Sequence, residues 1–245
     1  MKKLLCIVDA ELKRAICSWR AALLMAIGLM LLYQPVFYLM NFAENGYMGM
    51  DLMNAMMSAT SLGYYTSALP LLSGLMYSDS FAWEYVGGAF PYMIQRAGRT
   101  RYICGKLIAA SISAGLLVSG CFAVFCIVQA MFLAPGMPSG EEVSVAVRET
   151  LHLVRYGMTW SLVGLGISAI VPNPILSMAA PFCVAQFLWL ISAVFDIGVL
   201  DVKGTVFTMN GGALPPEQVL MQTLVIAGAA VTMFVIGVWK RSYGK

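Results

Sequence analysis

Long apolar runs separated by short polar segments dominate this chain. A membrane-spanning helix needs about 20 apolar residues to cross a bilayer core about 30 Å thick. Six runs have this length, and their interiors hold almost no charge, as the cost of about 2.5–3.5 kcal/mol for a central Lys, Arg or Asp requires. These runs are roughly 21–40, 57–77, 107–133, 153–171, 174–195 and 218–239. The pattern predicts an all-α membrane protein with six transmembrane helices.

In the segment before the first run, apolar and charged residues alternate with a regular spacing. Its apolar residues recur at spacings of three and four, which lines one face of a helix, and its charged residues lie largely on another face. A helix of this kind lies in the membrane interface with its apolar face in the acyl boundary. The apolar face consists of Leu5, Val8, Leu12, Ile16 and Trp19. We expect an interfacial amphipathic helix over 1–20 and a transmembrane domain over 21–245, and the alternative is a cytoplasmic extension of the first span.

Composition and charge narrow the class of protein and set its orientation. The 245 residues are 60% apolar and 11% charged, against roughly 45–50% and about 25% in soluble domains, and the mean hydropathy is +0.80. So few charges cannot cover a soluble surface, which excludes a soluble enzyme, a disordered regulator and a nucleic-acid binder with a broad basic face. Twelve of the 15 Lys and Arg lie at the two termini and in the gap between spans two and three. The positive-inside rule therefore predicts that both termini are cytoplasmic.

The gap between spans two and three is the longest predicted cytoplasmic segment. Ser80 and Glu84 predict the start of a short helix that Gly87-Gly88 would end. Aromatic residues interleaved with charges suit a surface that contacts both membrane and protein. Its basic residues are predicted inner-face anchors, and the positive-inside rule alone would explain them. They are Arg96, Arg99, Arg101 and Lys106.

Motifs for catalysis and nucleotide binding are missing from the sequence. His152 is the single histidine, and neither Gly-x-Ser-x-Gly nor Gly-x-x-x-x-Gly-Lys-Ser/Thr occurs. We therefore predict no catalytic, cofactor or metal site in this chain, and any ATP would be bound by another chain. Ser139 and Glu142 instead predict a capping box that begins an external helix. Gly157, Ser161, Gly164 and Ser168 form a face of small residues that predicts close helix packing, within the chain rather than in a dimer.

Three local motifs occur within the predicted topology. The first is Asp9-Ala-Glu11-Leu-Lys13-Arg14, the second consists of Glu84, Gly87-Gly88, Arg96, Arg101 and Lys106, and the third is the sequence from Gly164 to Asn173 with Pro181-Phe182. Together with the topology, they resemble the type-2 permeases of ATP-binding-cassette (ABC) exporters, and the likeness covers nearly the whole chain in topology. The first motif is similar to the Glu-x-x-Lys that opens many of these permeases, and the second resembles their Glu-x-x-x-Gly … Arg … Lys pattern. The third is similar to small permeases of the bacitracin and lantibiotic self-protection group.

The resemblance implies a function and a set of partners. In this family the segment after the second span is a coupling helix that docks on an ATPase subunit, which here implies contacts from about 79–94. The bulky or charged residues of that segment are Phe81, Trp83, Glu84 and Tyr85. The implied complex contains two ATPase subunits, which bind ATP and Mg, and a second permease copy or a homologous permease. It would export a hydrophobic or amphipathic substrate, such as an antimicrobial peptide, across a bacterial cell membrane. The connection 196–218 often re-enters the outer leaflet in the family.

Two other functional classes stay open at this point. One is a six-helix ligand-capture subunit of an importer, although such subunits are usually shorter and lack an amphipathic first helix with a long basic loop after span two. The other is an intramembrane enzyme, which the missing histidine, metal and nucleophile motifs disfavour. The lipid bilayer is a partner under all three hypotheses, and nucleic acid is a partner under none.

Overall fold

The computed structural model describes residues 2–42, 51–61, 64–133, 136–195, 197 and 215–243. Over these residues the chain forms helices and no strand. The helices are α1 (Lys2–Ile16), α2 (Trp19–Phe42), α3 (Leu52–Ser61), α4 (Tyr64–Tyr77), α5 (Ser80–Val86), α6 (Phe90–Ala97), α7 (Arg99–Val128), α8 (Gly140–Ile170), α9 (Pro174–Phe195) and α10 (Pro216–Tyr243). A π-helical turn, Gln129–Leu133, continues α7. The family's re-entrant connection, 196–218, lies largely outside the described residues.

Five helices in the described part of the chain are long and apolar enough to cross a membrane. Their spanning segments are Trp19–Phe37, Arg99–Phe132, Gly140–Ile170, Pro174–Phe195 and Glu217–Ser242. They confirm a multi-pass, all-α membrane protein and correspond to five of the six predicted runs. The last two runs are reproduced almost residue for residue, whereas α7 and α8 begin 8 and 13 residues before the predicted spans 107–133 and 153–171.

The predicted span 57–77 is described as two helical segments. α3 has 10 residues and α4 has 14, and residues 62 and 63 between them lie outside the described part. At 1.5 Å per residue α4 is about 21 Å long, less than the bilayer core of about 30 Å. Each described segment is shorter than a membrane-spanning helix, so the sixth span stays a prediction.

Together, α3 and α4 nevertheless connect the two ends of the bundle. The backbone N–H of Met53 in α3 donates a hydrogen bond to Oε1 of Glu142 at the start of α8, at 3.2 Å. The hydroxyl of Tyr77, the last residue of α4, bonds to Glu11 of α1 at the other end. Ser139 and Glu142 form both bonds of the predicted capping box, which explains why α8 begins at Gly140.

α8 is the centre of the bundle, because it packs against α4, α7, α9 and α10. Its glycines lie directly against neighbouring backbones. A Cβ atom added at Gly157 would lie 2.8 Å from the carbonyl oxygen of Ala114 in α7, and one added at Gly166 would lie 2.6 Å from that of Ala230 in α10. A larger residue at either position would push the helices apart. The contact at Gly157 confirms close packing for that member of the predicted small-residue face, and Gly166 lies outside that face.

α1 packs against α7 and keeps part of its apolar surface exposed. Leu5 and Ile16 are 63% and 44% exposed, whereas Val8 and Leu12 are half-buried. Trp19 is 78% exposed but belongs to the start of α2, because α1 ends at Ile16. The predicted apolar face is therefore divided between contact with the bundle and exposed surface, and its position in the membrane interface stays a prediction.

The first residues of α7 and the last residues of α8 and α10 meet at one end of the bundle. The Arg241 guanidinium of α10 donates hydrogen bonds to the carbonyl oxygens of Ala169 and Ile170 at the end of α8, at 2.9 and 2.7 Å. Nη2 of Arg99 donates to the carbonyl oxygen of Ser242 at 3.4 Å. α1, α5 and α6 lie at this same end, which we call the basic end.

Candidate functional site

A buried ionic cluster lies at the basic end, where four helices meet. Its centre is Lys106 of α7, which is 0% exposed. The Lys106 ammonium donates hydrogen bonds to Oε1 of Glu84 at 2.6 Å and to Oε2 of Glu11 at 3.1 Å. The Tyr102 hydroxyl donates to Oε2 of Glu84 at 2.6 Å, and the Tyr77 hydroxyl donates to Oε2 of Glu11. Each carboxylate is therefore bound by one ammonium and one phenol.

Each member of the ionic cluster comes from a defined position in the sequence. Glu11 lies on the face of α1 that packs against α7, Tyr77 ends α4, and Glu84 lies in α5. Tyr102 and Lys106 are four residues apart in α7, so they share one helix face. The Lys106 nitrogen also lies 5.1 Å from the ring centre of Tyr77 and 5.9 Å from that of Tyr102, where the ring faces attract a cation.

A glycine brings α1 close enough to α7 for this cluster to form. A Cβ atom at Gly105 would lie 2.7 Å from Cγ2 of Ile7. Because Gly105 has no side chain, Ile7 can lie against the α7 backbone directly beside Lys106. The close approach explains how the short Glu11 side chain reaches Lys106.

Arg14 of α1 lies at the rim of the cluster. Its Nη1 atom is 3.7 Å from Oε1 of Glu11 and 3.6 Å from Oε1 of Glu84, and its side chain is 61% exposed. The Glu11 carboxylate is the largest influence that raises the pKa of the Arg14 guanidinium above its ordinary value. Two cations therefore face two carboxylates, and the cluster has no net charge.

A second ion pair fixes the beginning of α5. The Arg20 guanidinium of α2 donates to both carboxylate oxygens of Asp79, at 3.0 Å, and Asp79 is 1% exposed. Nε1 of Trp83 donates to Oδ2 of Asp79 at 2.9 Å. The paired guanidinium–carboxylate geometry is the stronger and more directional form of ion pair, so it sets the position of α5 relative to α2.

The residues predicted to contact an ATPase lie in different environments. Phe81 is buried, with its ring 5.2 Å from that of Phe90 and 5.7 Å from that of Phe234. Glu84 belongs to the ionic cluster, and the half-buried Tyr85 lies under Arg241, whose guanidinium is 4.4 Å from its ring centre. Phe81 is therefore enclosed by the bundle, whereas Glu84 and Tyr85 are half-buried and are bound to residues of α7 and α10.

The exposed side of the segment 79–94 is formed by other residues. The segment contains α5 and the beginning of α6 instead of one helix, and Gly88 between them has φ = +72°, a backbone conformation that glycine adopts without strain. Trp83 is 59% exposed, Val86 62% and Tyr92 74%. These aromatic and apolar side chains form the exposed surface of the segment.

The four predicted basic anchors also separate into different environments. Arg96 and Arg101 are exposed, whereas Arg99 is half-buried and lies 5.9 Å above the ring of Trp239. Lys106 is buried in the ionic cluster, so it is not a solvated anchor in this structure. The positive-inside rule treats all four bases alike, because it counts charge and not environment.

Sequence reasoning did not find the cluster as a unit. It noted Glu11 through the resemblance, Glu84 also as a helix-start signal and Lys106 also as a basic anchor, and it gave no role to Tyr77, Tyr102 or Asp79. One signal was available: Glu11 lies three residues after Val8 and four before Ala15 on a packed face of α1, where an unpaired carboxylate would be costly.

Comparisons with known protein families, with characterised proteins and with solved structures found no match for this chain.

Proposed function

We propose that this chain is the membrane-spanning permease subunit of an ABC exporter. It has six spans with both termini in the cytoplasm, and the basic end is its cytoplasmic end. It uses ATP hydrolysed by two separate ATPase subunits to expel a hydrophobic or amphipathic substrate, such as an antimicrobial peptide, across a bacterial cell membrane. A second copy of this chain, or a homologous permease, completes the pathway.

The observation that supports the proposal most is the ionic cluster at the basic end. A permease without its own nucleotide site must receive movement from an ATPase at its cytoplasmic face. α5 is bound to α7 through Glu84 and Lys106, and α1 is bound to the same lysine through Glu11. A displacement of α5 would therefore be passed directly to a membrane-spanning helix.

The chemistry of the cluster suits a rigid link between α1, α5 and α7 better than a stabilising core. A buried ion pair is weak evidence for stability, because apolar residues of similar volume are often as stabilising or more so. What the charged groups add is a fixed geometry, since each hydrogen bond has a preferred distance and direction. The connection of α3 and α4 across the bundle and the basic residues at this end fit the proposed topology.

We assign two different roles to residues of the segment 79–94, on the basis of their described contacts. Trp83 and Tyr92 are exposed aromatic residues and are the side chains we expect an ATPase to contact. Glu84 points into the ionic cluster and is expected to transmit movement instead of binding the ATPase. Docking and coupling should therefore be separable by mutation.

The test is purification of the tagged chain from native membranes, followed by mass spectrometry and by ATP hydrolysis in reconstituted vesicles. An ABC ATPase should co-purify in equal amount. Truncating an aromatic anchor at an interface centre typically costs 2 kcal/mol or more, so Trp83→Ala and Tyr92→Ala should lose most of the bound ATPase. Glu84→Gln should retain the ATPase but lower substrate-stimulated hydrolysis. Arg101→Ala, an exposed residue at the same end, is the matched control.

Two results would contradict the proposal. A chain that co-purifies with no ABC ATPase, and whose vesicles show no ATP-dependent transport, is not such a permease. A chain that instead retains a small ligand without any ATPase would favour the ligand-capture alternative.

A further inference from the structure

A cavity of about 1000 Å³ opens at the basic end, separate from the ionic cluster. It lies between α6, the first residues of α7 and the last residues of α8 and α10. None of the five cluster residues lines it. Its volume is at the upper limit of ordinary small-molecule sites, which measure about 300–1,000 Å³.

The wall of the cavity combines apolar and basic side chains. The apolar part includes Phe90, Pro91 and Ile94 on one side and Ile170 and Ile236 on the other. The basic part consists of Arg99, Lys240 and Arg241, and no carboxylate is among the described residues that line the cavity. A pocket with this wall would attract an anion that also carries an apolar body.

The position of Arg241 is fixed by neutral groups. Its guanidinium donates to the carbonyl oxygens of Ala169 and Ile170 and lies on the ring of Tyr85. These contacts hold the side chain in place but do not cancel its charge. Over the described residues, neither Arg241 nor Lys240 forms an ion pair with a carboxylate.

The position of the cavity along the helix axes indicates which class of ligand it would bind. Arg99 begins one segment that could span a membrane, Ile170 ends another, and Ser242 ends a third, so the cavity lies at the level where these candidate spans begin and end. Ile170 and Ile236 are 50% and 60% exposed and provide apolar surface on the bilayer side. Basic pockets between transmembrane helices at this level suit acidic lipid headgroups.

We propose that this cavity binds an anionic phospholipid. The phosphate lies against Lys240, Arg241 and Arg99, and the first part of the acyl chains lies against Ile170 and Ile236. This inference does not depend on what the chain transports, because it requires only that the basic end lies at a membrane surface. Failure of the exporter proposal would leave it intact.

The test measures lipid retention by native mass spectrometry and thermal stability in mild detergent. The probes are phosphatidylglycerol and phosphatidylcholine with the same acyl chains. We expect phosphatidylglycerol to remain bound and to raise the melting temperature, and phosphatidylcholine to do neither. A base near an anionic lipid surface contributes about 1 kcal/mol, or roughly five-fold in affinity. Lys240→Gln should therefore weaken binding roughly five-fold, Lys240→Arg should restore it, and Arg101→Gln should leave it unchanged.

Competition experiments distinguish a bound lipid from a bound soluble phosphate compound. Inorganic phosphate and glycerol phosphate carry the same charged group without acyl chains, so they should not compete with phosphatidylglycerol at comparable concentration. Equal binding of the two phospholipids, an equal loss in Lys240→Gln and Arg101→Gln, or full competition by glycerol phosphate would each overturn the proposal.

Discussion

Replacing Lys106 by methionine should destabilise this protein more than any exposed charge substitution at the same end. The side chain is fully buried and is the only ammonium that Glu11 and Glu84 share in the described structure. Methionine fills a similar volume, so the packing is largely kept while the positive charge is lost. The two carboxylates then lie close together, with only the half-exposed Arg14 beside them.

The expected magnitude follows from the cost of an unpaired buried charge. Removing one partner of a buried ion pair typically destabilises a protein by about 3–5 kcal/mol. For a chain of this size 1 kcal/mol corresponds to about 2–4 °C, so the melting temperature should fall by about 6–20 °C. The phenol hydrogen bonds from Tyr77 and Tyr102 remain, but they supply no compensating charge.

The measurement is thermal unfolding in one detergent, followed by fluorescence-detected gel filtration. A second variant combines Lys106→Met with Glu11→Gln and Glu84→Gln, and so removes the carboxylates as well as the ammonium. It should regain most of the lost stability, because neutral replacement of a whole buried ion network is often tolerated. Lys13→Met is the control, because its ion pair with Asp9 is exposed and its loss should leave the melting temperature unchanged.

Two outcomes would refute this reasoning. Equal melting temperatures for Lys106→Met and wild type would mean that the ionic cluster does not carry the expected electrostatic cost. A triple variant no more stable than the single variant would mean that lost packing, not unpaired charge, explains the effect. If the triple variant is stable but substrate no longer stimulates hydrolysis by the partner ATPase, the cluster transmits movement between the ATPase and the membrane helices of the proposed exporter.

Three further predictions address the topology, the first helix and the packing. With the six native cysteines replaced by serine, Met137→Cys should react with an impermeant thiol reagent outside intact cells, and Thr100→Cys should not; the reverse result would invert the topology. Leu5→Glu should weaken membrane assembly far more than Lys13→Glu, because the exposed Leu5 side chain would lie in the acyl boundary if α1 is an interfacial helix; equal effects would argue against an interfacial helix. Gly157→Leu should lower the melting temperature strongly, since even its Cβ would lie 2.8 Å from a backbone oxygen of α7; an unchanged value would disprove the close α7–α8 contact.

The sequence predicted the membrane class and most of the spanning helices because hydropathy and length decide them locally. The run 174–195 coincides with α9, and the capping box at Ser139 and Glu142 is present. Helix ends were less predictable, since α7 and α8 extend past the apolar core into polar residues. The run 57–77 stays a predicted span, because the described structure covers it only as α3 and α4 with residues 62 and 63 between them outside the description.

The ionic cluster could not be predicted, because its members come from distant parts of the chain. Glu11 and Lys106 are 95 residues apart and meet only after α1 packs against α7. Lys106 was grouped with three other bases because all four lie in one short stretch of sequence. Tertiary packing gives Lys106 a buried position and leaves Arg101 exposed, and no local pattern distinguishes these two environments.

The contact between α8 and α10 has a consequence for how this protein is made. The last carbonyl groups of α8 are satisfied by Arg241, which lies 71 and 72 residues later in the chain. Gly166 and Ala169 of α8 likewise find their close partners, Ala230 and Gly237, only in α10. Until α10 has been synthesised and has entered the bilayer, the face of α8 around Gly166 and Ala169 lacks its packing partner, and the carbonyl groups of Ala169 and Ile170 lack Arg241. The partly assembled bundle is therefore expected to be most vulnerable to membrane proteases before α10 inserts, and a chain truncated ahead of α10 should be degraded instead of accumulating.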